Sequence, residues 1–269
     1  MKLLDFRADF SKENPSLNIC KFSHDNTMLA TGGDDCISRV YAITTGSRFS
    51  LETIPQEGPQ MEPICKLEGH SDIVNSLAFS PDNHLLVTSS SDRSCLIFNV
   101  NKEDKKSLGQ RLHKITFSDG THDTKNLMMR GCFFSTDGRY LYTLSTESRQ
   151  KSYLVKWENK QRFTQKAVQS EPVEVAMVHP NTVTGMCTTP DASLIGIRTS
   201  DGFVKVIPTS SFADRKAFVL NQKRHKMPVT CLGFQMDAEG HVKHVVSGSS
   251  DYSYNIIPCR RSFLGWLVG

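Results

Sequence analysis

The chain has 269 residues, a formal net charge of +4 and 38% hydrophobic residues, which is enough apolar material for a folded core and excludes a disordered tail. Its 32 basic and 28 acidic residues are interspersed, so the composition gives no concentrated basic footprint and predicts no nucleic-acid partner. The first ten residues include Asp5, Arg7 and Asp9 and lack an apolar run, so no signal peptide is expected.

An apolar run followed by a turn that contains aspartate recurs five times along the chain. The intervals between these aspartates are 57, 55, 54 and 46 residues, which suit four-stranded propeller blades and are long for helical repeats. The five are Asp25, Asp82, Asp137, Asp191 and Asp237. A second acidic residue follows ten positions later in four copies, and fourteen positions later in the fifth, which indicates a four-residue insertion there. These are Asp35, Asp92, Glu147, Asp201 and Asp251. The pattern predicts an all-β fold of about five blades, with the first aspartates as turn-formers.

The first two copies align without a gap and predict the strands of a blade. Residues 29–31 and 86–88 are expected to form second strands, because each follows an apolar inner strand and a polar turn. Residues 64–67 and 112–117 are expected to form the outer strands. Each copy is therefore predicted to fold as strand, tight turn and strand, completed by an outer strand.

In the second copy, Gly69-His70, Thr88, Asp92 and Phe98 resemble the Gly-His, hydroxyl, Asp and Trp positions of the WD repeat. In that family the His, hydroxyl, Asp and Trp side chains form one hydrogen-bonded chain inside the blade. The other copies are expected to supply the same structural type of residue, namely Asp35, His179, Asp201, His225 and Asp251. The resemblance predicts a WD-repeat β-propeller.

The copies depart from the repeat in their aromatic and acidic positions. Phe98 has no indole N–H, so the hydrogen-bonded chain is expected to end at the hydroxyl. The third copy has Glu147 in place of the aspartate, and its Trp157 is expected to be displaced by an insertion. The fourth copy has Ile207 in the aromatic position. These are interpreted as degenerate repeats.

A hydrolase triad is the alternative interpretation of His70, Asp92 and a nearby serine. The same His and Asp positions recur in other copies, as structural positions do, and no GxSxG motif is present. The sequence therefore predicts no catalytic, cofactor-binding or metal-binding residue. Asp34, Arg93, Arg149 and Lys205 are expected in solvated turns, and no partner-contacting residue is predicted.

The eight cysteines are isolated from one another and show no zinc-ligand spacing. Five fall within predicted strands and are expected to be buried thiols: Cys20, Cys95, Cys132, Cys187 and Cys231. A reducing compartment is therefore expected.

The sequence predicts a propeller over residues 1–258 and a different segment over residues 259–269. There the pair Arg260-Arg261 and Ser262 precede seven uncharged residues that include Trp266. Such a segment is typical of the start of a membrane anchor preceded by a cytosolic domain. A final strand that packs Phe263 and Leu267 onto the propeller is the alternative, and both remain open.

Several segments, in order along nearly the whole chain, resemble the prolactin regulatory element-binding protein family, the guanine-nucleotide exchange factors anchored in the endoplasmic reticulum membrane. The segments are HDNTMLATGG (24–33), RGCF (130–133), VTGM (183–186) with SDG (200–202), VTCLGF (229–234) and PCRRS (258–262). The resemblance implies a seven-bladed propeller on the cytosolic face of that membrane, held by a C-terminal span that is truncated here.

The family resemblance also implies a function. The protein would load nucleotide onto the small GTPase that starts COPII coat assembly, with other coat or scaffold proteins as further partners. Exchange of this kind needs no covalent chemistry, because preferential binding of the nucleotide-free GTPase speeds release. The family uses a Gly-rich, potassium-binding loop in its first blade, which no segment here matches, so this chain is expected to contain no cofactor and to lack about two blades. The alternative is a WD-repeat scaffold that binds protein partners without exchange activity.

Overall fold

The computed structural model describes residues 16–43, 62–117, 127–147, 151–159, 171–214 and 218–259, which form nineteen strands. Five antiparallel sheets follow one another along the chain, and within each sheet neighbouring strands are consecutive in sequence. The result is a β-propeller of five blades, which confirms the predicted all-β class. Within the described ranges the helical structure is one 3-10 turn, Thr209–Ser211, and no helix there is long and apolar enough to cross a membrane.

The blades are numbered in chain order. Blade 1 consists of β1 (Leu17–Phe22), β2 (Met28–Gly33), β3 (Ser38–Ala42) and β4 (Cys65–Leu67). Blade 2 consists of β5 (Val74–Phe79), β6 (Leu85–Ser90), β7 (Ser94–Asn99) and β8 (Arg111–Thr116). Blade 3 consists of β9 (Leu127–Phe134), β10 (Tyr140–Glu147), β11 (Ser152–Glu158) and β12 (Pro172–His179). Blade 4 consists of β13 (Val183–Thr188), β14 (Leu194–Thr199), β15 (Phe203–Pro208) and β16 (Leu220–Lys223). Blade 5 consists of β17 (Val229–Met236), β18 (Val242–Ser249) and β19 (Tyr254–Pro258).

The predicted strands agree with the observed ones to within two residues at each end. Residues 29–31 and 86–88 lie inside β2 and β6, and the two predicted outer strands correspond to β4 and β8. The four-residue insertion of the fifth copy is also observed. It extends β17 and β18 to eight residues each, compared with six in β5 and β6. Because two residues are added to each strand, the turn moves outward and the strand pairing is kept.

The five repeat aspartates all lie in the turn between the first and second strands of a blade, at the lower end of the propeller. In blade 2, Ser80 Oγ donates to Asp82 Oδ1 at 2.5 Å, and the backbone N–H groups of His84 and Leu85 bind Asp82 and Ser80 at 3.1 and 2.9 Å. Asp25 and its neighbours repeat this arrangement in blade 1. These hydrogen bonds satisfy turn N–H groups, so the predicted turn-forming role is confirmed.

Apolar side chains fill the spaces between consecutive blades. Between blades 1 and 2, for example, Ala30 and Val40 pack against Val74, Leu77 and Phe79. Three further clusters lie between blades 2 and 3, 3 and 4, and 4 and 5. The core of the molecule therefore consists of four separate layers between sheets, and the second and third strands of blades 1 to 4 are largely buried on both faces.

The two terminal blades carry exposed apolar side chains, as expected for five blades that leave the ring open. Leu17 and Phe22 are exposed on β1, and Val246 and Ile256 are exposed on blade 5. All five cysteines predicted in strands lie in strands, and Cys95 and Cys132 are buried as expected. The prediction of burial is wrong for Cys20 and Cys231, which are exposed, and Cys187 is half-buried. The reason for the error is that, among the described residues, no blade lies against β1 or against the far side of blade 5.

The predicted anchor segment is described only at Cys259, and residues 260–269 lie outside the described residues.

Candidate functional site

Buried polar side chains of blade 2 form a hydrogen-bonded chain at the upper end of the propeller, opposite the turns that contain the repeat aspartates. His70 lies in the loop before β5, and Asp92 lies in the turn between β6 and β7. His70 Nδ1 is 2.8 Å from Asp92 Oδ2, and its Nε2 is 2.7 Å from Thr88 Oγ1. Asp92 also accepts hydrogen bonds from the backbone N–H groups of Ser71 and Ser94 at 3.1 and 2.9 Å. The chain of contacts therefore ties a loop and a turn to the second strand of the blade.

The surroundings of His70 and Asp92 are those of structural groups. Their side chains are 1% and 5% exposed. Burial alone would raise the pKa of Asp92, but hydrogen bonds from His70 and Ser94 outweigh burial and hold that pKa well below its usual value. Thr88, the hydroxyl next to His70, is 0% exposed, so no substrate can reach either the hydroxyl or the ring. The hydrolase interpretation is therefore incompatible with this geometry.

The aromatic position of the repeat is filled by different residues in different blades. Phe98 pairs with Leu86 in blade 2, and Trp157 pairs with Leu141 at the same register in blade 3. Trp157 Nε1 donates to Thr143 Oγ1 at 2.9 Å. The expectation that Trp157 is displaced is therefore wrong, because the extra residues lie between β10 and β11 and leave the strand pairing unchanged.

The fourth copy of the repeat keeps the histidine, as the last residue of β12 in blade 3, and the aspartate in blade 4, but not the hydroxyl. His179 Nε2 lies 3.0 and 3.1 Å from the two carboxylate oxygens of Asp201. Ile197 occupies the strand position that Thr88 has in blade 2, and His179 Nδ1 is buried without a hydrogen bond. Burial lowers the pKa of His179. Ile207 pairs with Ile195 at the register of the aromatic residue, as the sequence comparison predicted.

Lys205 is buried in β15, so its predicted place in a solvated turn is wrong. Its Nζ donates to the carbonyl of Val178 in blade 3 at 2.8 Å and lies 5.0 Å from the centre of the Phe218 ring. Burial lowers the pKa of Lys205. The turn ends before Phe203, where β15 begins, so the strand directs Lys205 between two blades. Of the other residues expected in turns, Asp34 and Arg93 lie in turns, and Arg149 lies outside the described residues.

Blade 5 places serine hydroxyls around its histidine. His225 Nδ1 and Nε2 are each 2.9 Å from a serine oxygen, Ser253 Oγ and Ser247 Oγ respectively. Asp251 Oδ1 is 3.4 Å from His225 Nδ1. Ser247 pairs with Leu232 as Thr88 pairs with Leu77, so it occupies the hydroxyl position of the repeat.

In blade 1 the acidic position binds an arginine. Asp35 Oδ2 is 2.5 Å from Arg39 Nη1, and Asp35 Oδ1 accepts the backbone N–H of Ile37 at 3.2 Å. The residue at the position of the histidine, Glu13, lies outside the described residues. Each of the nine predicted structural residues except Phe98 makes hydrogen bonds, and the one between His179 at the end of β12 and Asp201 joins blade 3 to blade 4.

A cavity of about 320 Å³ lies on the axis, where the inner strands of blades 1 to 4 converge. Lys21, Ala78, Phe133 and Cys187 occupy equivalent positions of these strands and line the cavity. Burial raises the pKa of Cys187 to about 11, which keeps this thiol protonated and unreactive.

The upper end of blade 5 carries two exposed apolar side chains that sequence reasoning missed. Tyr252 is fully exposed and has a positive φ of 63° in the turn between β18 and β19. Met227 is exposed in the loop before β17, and Ser249 Oγ donates to its carbonyl at 3.1 Å, so the loop and the turn are adjacent. The sequence signal that could have identified this surface is a large apolar residue within a loop or turn. Exposed aromatic and Met side chains are enriched where proteins bind other proteins.

Comparison with known proteins agrees with this geometry. The family model "WD domain, G-beta repeat" matches residues 10–41 and 61–99, which include most of blades 1 and 2. The blades are WD repeats. Among related proteins, protein HIR1 of Eremothecium gossypii is 25% identical over 62% of this chain and 19% of its own length. A subunit of chromatin assembly factor 1 from Mus musculus is 23% identical over 54% of the chain and 24% of its own length.

The guanine nucleotide-exchange factor SEC12 of Rattus norvegicus is 32% identical over 30% of the chain and 15% of its own length. This WD-repeat chain therefore spans less than a quarter of the length of each of these relatives.

Proposed function

We propose that this WD-repeat propeller is a scaffold that binds protein partners and carries out no chemistry of its own. The observation that carries the proposal is the contrast between its polar and apolar groups. The His70–Asp92 pair is buried, the His179–Asp201 pair is largely buried, and both are held by hydrogen bonds, whereas Met227 and Tyr252 are exposed at the upper end of blade 5, in a loop and a turn next to Ser249. Groups arranged in this way stabilise a surface and leave apolar side chains free for a partner.

The relatives support the scaffold over nucleotide exchange. Protein HIR1 and the chromatin assembly factor 1 protein align with more than half of this chain, whereas SEC12 aligns with 30% of it. The chromatin assembly factor 1 protein is, by its name, one subunit of a larger factor. We infer the same kind of role here, in which the propeller joins other proteins.

Substitution at the upper end of blade 5 tests the scaffold. The full chain and the double variant Met227→Ala/Tyr252→Ala are immobilised, and proteins retained from an extract of the source cells are identified by mass spectrometry. Val173→Ala is the matched control, because Val173 is an exposed apolar residue on β12, at the outer edge of blade 3. We expect a defined set of proteins bound by the chain and the control but lost from the double variant. Equal retention by all three would contradict the proposal.

Nucleotide exchange is the second candidate, favoured by the 32% identity with SEC12 over 80 residues. In this case the chain would act on the small GTPase of the COPII coat at the cytosolic face of the endoplasmic reticulum membrane. The assay is release of fluorescent GDP from that GTPase, with and without the chain. The scaffold predicts an unchanged release rate, and an acceleration that grows with chain concentration would establish exchange instead.

A further inference from the structure

Each of blades 1 to 4 turns one face towards the blade that follows it, and this face is apolar except at Lys156 of blade 3. This forward face includes one residue of the second strand and its paired residue in the third strand. The pairs are Ala30 with Val40, Val87 with Ile97, Tyr142 with Lys156, and Gly196 with Val206. The residues at the same register in blade 5 are Val246 and Ile256.

The forward face of blade 5 is uncovered, in contrast to the other four. Ile97 in blade 2 is 0% exposed, whereas Ile256 in blade 5 is 56% exposed. Tyr254 is exposed beside it, and a Cβ on Gly233 would meet no atom within 4 Å. The described part of the chain therefore presents a three-stranded blade face of the kind that elsewhere lies within the core.

In blades 1 to 4, the inner strand of the following blade covers the forward face. Val74, Leu77 and Phe79 of β5 pack on blade 1, and Val229, Leu232 and Phe234 of β17 pack on blade 4. The inner strand of blade 1 has the equivalent residues Leu17, Cys20 and Phe22. Phe22 is 57% exposed, whereas Phe79 is 4% exposed. Farther from the axis on the same side of blade 1, Leu29 of β2 and Tyr41 of β3 are buried. The exposed part of this side is therefore the inner strand, β1.

We propose that β1 of one copy of this chain packs on the forward face of blade 5 of a second copy. The two surfaces have the residue pattern of an interface that the molecule makes four times within itself, and among the described residues of one molecule both are exposed. The contact is heterologous, because it joins two different surfaces of identical chains. Assembly would therefore proceed head to tail and would continue beyond a dimer unless a ring closes.

Two exposed cysteines give this contact a specific geometry. Where blade 4 follows blade 3, a Cβ on Gly131 of β9 would lie 2.7 Å from Met186 Cγ of β13. Cys231 stands in β17 where Gly131 stands in β9, and Cys20 stands in β1 where Met186 stands in β13. The proposed contact therefore places Cys20 of one copy against Cys231 of the other.

The test uses the full chain and two charge variants. Ile256→Glu spoils the face of blade 5 and leaves β1 intact, whereas Phe22→Glu spoils β1 and leaves that face intact. Mass in solution is measured by light scattering over a range of concentrations. We expect the chain to assemble beyond a dimer as concentration rises, and each variant alone to need roughly tenfold to a hundredfold more protein. An equal mixture of the two variants should form a dimer and stop there, because one intact pair of surfaces remains.

A control and a cross-link complete the experiment. Val173→Glu introduces the same charge at an exposed apolar residue outside both surfaces and should assemble like the unmodified chain. Oxidation of the unmodified chain with diamide, which accepts the two thiol protons and two electrons, should yield Cys20–Cys231 disulfides between chains, in species of dimer mass and larger. Three results would overturn the proposal: a monomer at every concentration, a mixture of variants without a dimer, or a Cys20–Cys231 disulfide confined to single chains.

Discussion

Removal of the Asp92 carboxylate tests whether the hydrogen-bonded chain in blade 2 stabilises the fold. In Asp92→Ala, the donors from the His70 ring and from the N–H groups of Ser71 and Ser94 lose their acceptor. The Asp92 side chain is 5% exposed, so water reaches these groups poorly. At about 1 kcal/mol for each donor left unsatisfied, the free energy of unfolding should fall by about 3 kcal/mol. The melting temperature should fall by roughly 6–12 °C.

The control is Asp82→Ala in the same blade. Asp82 also accepts hydrogen bonds from a turn, but its side chain is 43% exposed, so water replaces the lost acceptor. We expect a loss of about 1 kcal/mol or less. Equilibrium unfolding in urea, followed by circular dichroism, measures both variants. If Asp92→Ala and Asp82→Ala lower the free energy of unfolding by the same amount within about 1 kcal/mol, then burial does not strengthen the contribution of the hydrogen-bonded chain to stability, and the prediction is refuted.

Four further predictions concern a buried tryptophan, two sets of titrating groups and the exposed thiols. Trp157→Phe removes the hydrogen bond to buried Thr143 and should lower the free energy of unfolding by about 1–2 kcal/mol. Adding Thr143→Val should cause little further loss, because the hydrogen bond is already absent. Additive losses in this double-mutant cycle would contradict the coupling. Because the pKa values of Asp92 and Asp201 are lowered in the folded chain, their stabilisation should be present above about pH 4 and lost as pH falls further. Because the pKa of His179 is lowered in the folded chain, the unfolded chain binds the His179 proton at a higher pH, and stability should also fall as pH decreases through about 6.5. This loss should be smaller in His179→Gln. If the melting temperatures of the unmodified chain and of His179→Gln change equally between pH 7.5 and 5.5, the prediction is refuted. At concentrations where light scattering gives a monomer, Cys20 and Cys231 should react with a thiol reagent at least roughly tenfold faster than Cys95 and Cys132, as measured by peptide mass spectrometry, and equal rates would show that the faces of the terminal blades are covered within one chain.

The strand pattern was predictable because it depends on local chemistry. Apolar alternation defined the strands, and an aspartate within reach of turn N–H groups defined each turn between them, as at Asp82. The spacing of His70, Thr88 and Asp92 was sufficient to predict their contact, since those positions are set by one strand pair and one turn. The insertion in the fifth copy was also visible from sequence as a change in spacing.

Other features depended on how blades pack together. Trp157 looked displaced because sequence spacing counts the inserted residues, whereas strand pairing passes over them and keeps Trp157 opposite Leu141. Lys205 looked solvated because it follows a turn, but blade 3 lies against its strand and accepts its hydrogen bond.

The sequence by itself determined the five repeats, their strands and turns, and the residues joined by hydrogen bonds within a blade, because all of these are set by neighbours close along the chain. Only the tertiary structure decided which apolar residues are covered. Phe79 and Phe22 occupy the same position of equivalent strands, and one is buried while the other is exposed. The physical reason is that burial in a propeller comes from the adjacent blade, and blade 2 has a blade in front of β5 whereas the described chain places none in front of β1.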